Sequence, residues 1–205
     1  MATQHGAVRD RALCAGLPGE AGDGPAIDEG LVHPAAPKRA SAYHLRPGRL
    51  ACLTDLNSEA LYSVVRDPLQ QAKVFSSLGD RTRILSDEGD HLRVQQFHEN
   101  RLIADREVIV EWRVSGATEL RTVAWRRAED QTGTTGKNVL PDMHEGRWEI
   151  SPEGGGAKVV YYVKYLPGGH IPDRMVRTFV GKGVRKVVSE LFDYLRTTTS
   201  TAGEP

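Results

Sequence analysis

Three stretches carry residues whose types and spacing could do chemistry, and each lacks a necessary partner. His144-Glu145 opens like the His-Glu-x-x-His of zinc hydrolases, where two histidines one helical turn apart ligate the metal. The second ligand position holds Trp148, so that reading fails. Gly136-Lys137 opens like a phosphate loop, but Gln131 stands where the first glycine belongs and Asn138 where a hydroxyl should follow. Gly154–Gly156 lie between two strand-like runs, without the helix N-terminus that would face a dinucleotide, and read as a hairpin turn. No Gly-x-Ser-x-Gly nucleophile elbow occurs. With two cysteines, neither a disulfide framework nor a cysteine-ligated zinc site is expected, and Cys14 and Cys52 read as free thiols. No metal and no cofactor is expected.

What remains is a set of isolated polar and aromatic side chains. His98, His144 and His170 could act as acid–base groups or contact a ligand; the plainer account is a surface or hydrogen-bonded histidine. Arg106 could meet an anionic head-group, or simply pair with Glu107, Asp105 or a neighbouring strand. Trp112, Trp148, Tyr161 and Tyr165 sit on strand-like runs and could line a pocket or pack in the core. Of these, Trp112, Trp148, Tyr161, His144 and Arg106 are taken as ligand-binding candidates, with Met175 and Phe179 at a cavity mouth.

The elements that must position them follow from pattern. The 205 residues suffice for one good-sized core. The 27 basic and 27 acidic residues give no basic excess, which argues against a nucleic-acid binder. No run approaches the ~20 apolar residues of a membrane span, and the start lacks the apolar region of a secretory signal, so the chain reads as cytoplasmic. Residues 1–42, rich in Gly, Ala, Pro and Asp, read as a disordered or loosely attached leader. Residues 43–197 read as one domain and 198–205 as a flexible tail.

Within that domain a first strand, HLRPGRLACLTDL, precedes a short helix capped by Asn57 or Ser58. Asp67-Pro68 breaks it and opens a second helix, expected to stop near Gly79. Six or so short runs follow, including REVIVEWRV, ELRTVAWRR, HEGRWEIS and AKVVYYVKYL, separated by turn-rich stretches. From Asp173 to about Arg196, Val176, Val180, Val184, Val187, Val188, Leu191 and Leu195 fall on one helical stripe, opposite Arg174, Lys182, Arg185, Lys186 and Arg196. Gly181 and Gly183 interrupt that helix, either where a ligand or the sheet approaches closely or to permit a bend. An antiparallel sheet needs one face covered, and the last helix is the large element able to do so. The fold class is α+β: a curved antiparallel sheet wrapped around a long C-terminal helix, with two short helices after the first strand.

This order, with ADREVIV at 104–110, GRWEISP at 146–152 and YLPGGHIPDRMV at 165–176, resembles the steroidogenic-acute-regulatory-protein-related lipid-transfer (START) family. More broadly it resembles the helix-grip superfamily, which includes the major birch pollen allergen and bacterial polyketide cyclases. The resemblance covers roughly residues 43–197, with Leu166 before Pro167 where many relatives carry an acid. It implies a deep apolar cavity between sheet and last helix that holds a lipid or another hydrophobic molecule. Two functions stay open: a non-enzymatic carrier or sensor, or a cyclase- or dehydratase-like enzyme using a cavity histidine or acid. The basic side of the last helix could touch anionic membrane during lipid exchange, although solvation alone accounts for it.

Overall fold

A computed structural model describes residues 13–15, 48–99 and 103–201. Eight strands form one sheet: β1 (Leu13–Ala15), β2 (Gly48–Thr54), β3 (Arg83–Asp87), β4 (His91–His98), β5 (Arg106–Ala117), β6 (Leu120–Arg127), β7 (Met143–Glu153) and β8 (Gly156–Leu166). Their spatial order is β1-β2-β8-β7-β6-β5-β4-β3, with every pair antiparallel. Strands β3 to β8 are thus a meander, and β2 closes onto its last member. The expected α+β architecture is the observed one.

Two helices fill the connection from β2 to β3. Helix α1 (Ser58–Arg66) starts at Asn57, whose side chain accepts from the backbone N–H groups of Glu59 (2.8 Å) and Ala60 (3.1 Å). It buries Leu61, Val64 and Val65. Asp67 ends α1 and caps α2 (Pro68–Val74), with Pro68 in the first turn, where its missing N–H costs nothing. The second helix was expected to reach Gly79; it stops at Val74 because the chain turns extended at Phe75, which is buried in the core.

Helix α3 (Asp173–Thr201) spans about 43 Å at ~1.5 Å per residue and lies across β2 and β8. Val176, Val184, Val188, Leu191, Phe192 and Leu195 are buried along it. It crosses β2 where Gly48 leaves room: a Cβ there would stand 2.5 Å from Val184 Cγ2 and 2.9 Å from Val180 Cγ1. Its end runs five residues beyond Arg196, and the hydroxyls of Thr197, Thr198 and Thr199 bond back to the carbonyls of Asp193, Tyr194 and Leu195.

Strand β7 shows how alternation builds the concave face. His144, Gly146, Trp148 and Ile150 turn inward, while Glu145, Arg147 and Glu149 lie on the other side. The β7–β8 turn uses Gly154 (φ 59°) and Gly155 (φ 84°), a left-handed backbone that glycine adopts without strain. The convex face is covered in part by the 128–140 loop. There Glu107, almost wholly buried, accepts from Gln95 Nε2 (2.6 Å), Thr135 N (2.7 Å), Thr135 Oγ1 (2.5 Å) and Asn138 Nδ2 (3.1 Å). Burial pushes its carboxyl up, and the hydrogen bonds from Thr135, Asn138 and Gln95 more than offset this, holding it below the usual range.

The cysteines correct an expectation. Cys14 and Cys52 are not free thiols but a disulfide, formed across the directly opposed β1–β2 pair. Strand pairing brings together two residues 38 apart in sequence. The remainder of 1–47 lies outside the described residues, so the expected leader is represented there by Leu13–Ala15 alone.

Candidate functional site: an amphipathic cavity under the last helix

A cavity of about 690 Å3 opens between the concave face of the sheet, α2 and α3. Its body is apolar and aromatic: Phe75, Leu78, Trp125, Tyr161, Val163, Val180, Val184 and Val187 face it. One end is polar, built by Gln96 and His98 from the end of β4, Arg106 from the start of β5, His144 from the start of β7 and Tyr165 from the end of β8. Antiparallel pairing brings these termini to one edge, since His98 stands opposite Arg106 and His144 opposite Tyr165. Glu99, Lys182 and Lys186 also line the cavity and, with Ser76, are exposed or held at exposed contacts.

The polar end is a packed cluster. The His98 and His144 rings meet edge to face at 4.8 Å between centroids, and His144 meets Tyr165 in the same manner at 5.3 Å. His144 Nε2 lies 3.2 Å from Gln96 Oε1. Arg106, 3 % exposed, donates from Nε to Pro167 O (3.1 Å) and from its terminal nitrogens to Ala104 O and Gly168 O. The anticipated ion pair with Glu107 or Asp105 is not formed; among the described residues no carboxylate lies within 4.0 Å of this guanidinium. Arg106 instead ties the start of β5 to the Pro167-Gly168 turn that launches α3.

Burial sets the protonation of the cluster. It pushes His98 down to about 4. His144 is held well below the usual imidazole value, first by burial and then by the neighbouring charge of a protonated His98. Both rings are therefore neutral near pH 7. Burial raises Tyr165 to about 12, with Arg106 opposing, and also raises Tyr161. The phenols remain protonated, so each can donate as well as accept.

The aromatic body is a continuous stack. Trp112 and Trp125 stack at 5.6 Å, Trp125 and Tyr161 at 6.0 Å, Tyr161 and Trp148 approach to 4.2 Å, and Trp148 stacks on Phe75 at 6.0 Å. Gly146 is the contact that permits it. A Cβ at this position would stand 2.5 Å from Trp125 Cζ2 and 2.5 Å from Tyr162 O, so the indole lies flat over β7 only because no side chain is there.

Of the residues singled out from sequence, His144, Arg106 and Tyr161 line the cavity. Trp112 and Trp148 are buried beside Trp125 and Tyr161, their cross-strand neighbours on the same face, and do not line it. Met175 is 37 % exposed near the start of α3 and outside the lining, and the side chain of Phe179 lies outside the described residues. Gln96 and Trp125, which the sequence reading does not include, also line the site, as do Tyr165 and His98, for which the sequence offers packing or surface roles as well. Strand parity could have flagged Trp125, Gln96 and His98, because each shares an inward face with core neighbours. The sheet does not press on Gly181 or Gly183: a Cβ at either meets nothing within 4 Å, and Gly183 borders the cavity.

No protein-family model matches the chain. No curated protein matches it either. Solved structures do. A STAR-related lipid transfer protein of Xanthomonas axonopodis superposes with a TM-score of 0.66 at 18% identity, over 74% of this chain and 86% of that one. Human StAR-related lipid transfer protein 5 gives 0.68 at 12% identity, over 75% and 76%. The Zhui aromatase/cyclase from Streptomyces sp. R1128 gives 0.62 at 13% identity, over 79% and 100%. The chain therefore has a START/Bet v 1-like helix-grip fold. Proteins named for lipid transfer and proteins named for ring closure share that fold, so the fold does not choose between them.

Proposed function

We propose that the protein binds one hydrophobic small molecule in the cavity between sheet and α3, acting as a carrier or sensor. The observation that carries this reading is the cavity itself: about 690 Å3, apolar along its body and polar at one end. Ligand sites of ~300–1,000 Å3 with a few convergent polar groups hold drug-sized molecules. The apolar portion rests on Trp125, Tyr161 and Phe75, flanked by Trp112 and Trp148, and the polar portion meets Arg106, His98, His144 and Tyr165. Among the described residues Arg106 donates three of its five N–H groups to backbone carbonyls, which would leave two for a ligand. The exposed lysines of α3, Lys182 and Lys186, would face an anionic membrane during exchange. Among the described residues, no helix is long and apolar enough to cross a membrane.

The test is to purify the protein without detergent and analyse its organic extract by mass spectrometry, alongside uptake of a fluorescent sterol and a fluorescent fatty acid. A co-purifying apolar molecule, or saturable uptake of one per chain, supports the reading. Protein that is repeatedly empty and takes up neither probe defeats it.

The cyclase-like reading has its own support, a neutral His98 in the cavity wall beside Tyr165 and Arg106, able to move a proton. It is distinguished by the fate of the molecule. A carrier returns its ligand unchanged, whereas an enzyme returns it dehydrated or cyclised. This reading falls if the extracted molecule and its incubated counterpart have the same mass and spectrum.

A further inference from the structure

The polar end of the cavity contains hydrogen-bonding groups that have no partner among the described residues. Gln96 Oε1 can only accept, so the His144 Nε2 beside it carries that ring's proton. A neutral His144 then has a bare acceptor at Nδ1, which is buried and without a partner among the described residues. The Nε2 of His98, in the ring that packs against His144 at 4.8 Å, is also buried and unpaired among the described residues. Trp125, whose ring centroid is 6.2 Å from that of His144, adds a buried Nε1–H with no acceptor among the described residues. Buried polar groups in native proteins almost always have partners, because leaving one unpaired forfeits the hydrogen bonds that water gave it. Here an unpaired acceptor and unpaired donor capacity are gathered in the wall of one cavity.

The chemistry of the surroundings narrows what could satisfy them. A carboxylate or phosphate has no hydrogen to give to His144 Nδ1, and burial opposes the protonation that would let that nitrogen donate. An ammonium could donate, but Arg106 stands directly across from His98 and repels a cation. A neutral hydroxyl donates one hydrogen and accepts through its oxygen, matching both needs. We propose that His144, His98 and Trp125 form a hydroxyl-recognition subsite, so that the cavity selects an apolar alcohol or phenol over the same skeleton without the hydroxyl. The ligand O–H donates to the imidazole acceptor, and its oxygen accepts from the neighbouring ring N–H. Gln96 is a positioning residue that fixes the His144 tautomer. This proposal rests on reading the cavity as a ligand site and assigns that ligand's polar group.

Equilibrium dialysis of the full chain at pH 7 with 2-naphthol and with 2-methoxynaphthalene tests it, because the two differ only by capping the hydroxyl. The naphthol should bind about tenfold more tightly to the wild type, and His144→Phe should bind both at the affinity of the ether. Equal affinities for the wild type would overturn the subsite while leaving the cavity reading intact, since the nitrogens would then be served by water. Binding of neither probe would overturn this proposal and count against the cavity reading too. Should His144→Phe fail to fold, the 15N resonance of wild-type His144 Nδ1 decides. A shift on adding naphthol, absent with the ether, supports the subsite; the same response to both overturns it.

Discussion

Acidification should unfold this protein in a window set by its cavity histidines. A histidine titrates at 6.5 in an unfolded chain, while burial holds His98 at about 4 in the fold. Between those values the unfolded chain binds a proton that the folded one refuses, so stability is full above pH 6.5 and is lost as pH falls toward 4. At about 1.36 kcal/mol per pH unit, the difference is worth roughly 3 kcal/mol, a large share of the ~5–15 kcal/mol typical of a domain. His144, depressed for the same reason, adds to the loss. The carboxylates held low, Asp55, Glu107 and Asp130, contribute in a separate window. Their stabilisation is lost only as pH falls below their unfolded values of 3.8 to 4.5. The assay is urea unfolding followed by tryptophan fluorescence at pH 7.5, 6.5, 5.5 and 4.8, for wild type and His98→Phe. Wild-type stability should fall steadily below pH 6.5, and the variant should lose roughly half of that slope. A wild-type stability flat from 7.5 to 4.8, or a variant slope equal to wild type, would refute the burial argument.

Further outcomes follow from single contacts. Gly146→Ala puts a Cβ 2.5 Å from Trp125 and from Tyr162 O; it should cost about 1–3 kcal/mol in chemical denaturation and change the tryptophan emission. Gly181→Ala meets open space within α3, so relief of helix propensity should raise stability by up to about 1 kcal/mol, read as a higher Tm. Cys52→Ser removes a link between residues 38 apart and should cost about 2–4 kcal/mol, while the unreduced wild type should show no thiol reactive with Ellman's reagent under denaturing conditions.

The architecture was legible because its signals are local. The α3 stripe repeats every three or four residues, β7 alternates cleanly, and Asn57 and Asp67-Pro68 mark helix starts by their own side chains. The site was legible only in part, since its assembly depends on which strand lies beside which. Parity places Trp148 and His144 on one face of β7, but it does not say which rung meets the cavity and which meets Phe75. His98 looked solitary because its ring partners, His144 and Tyr165, lie on β7 and β8. Arg106 looked like half of an ion pair because its carbonyl partners at 167 and 168 are 61 and 62 residues away. The Cys14–Cys52 link was hidden for the same reason: nothing near either cysteine says that β1 pairs with β2.

The central claim is that the space beneath α3 is a ligand site and not merely loose packing. Gly183 borders that space and a Cβ there meets nothing, so Gly183→Leu should fill part of it without disturbing the core. Native mass spectrometry of wild type and Gly183→Leu, each incubated with the same fluorescent sterol and fatty acid, tests this directly. One bound molecule per wild-type chain is expected, and little or none on a variant of unchanged fold. Equal loading of both proteins, or loading of neither, contradicts it.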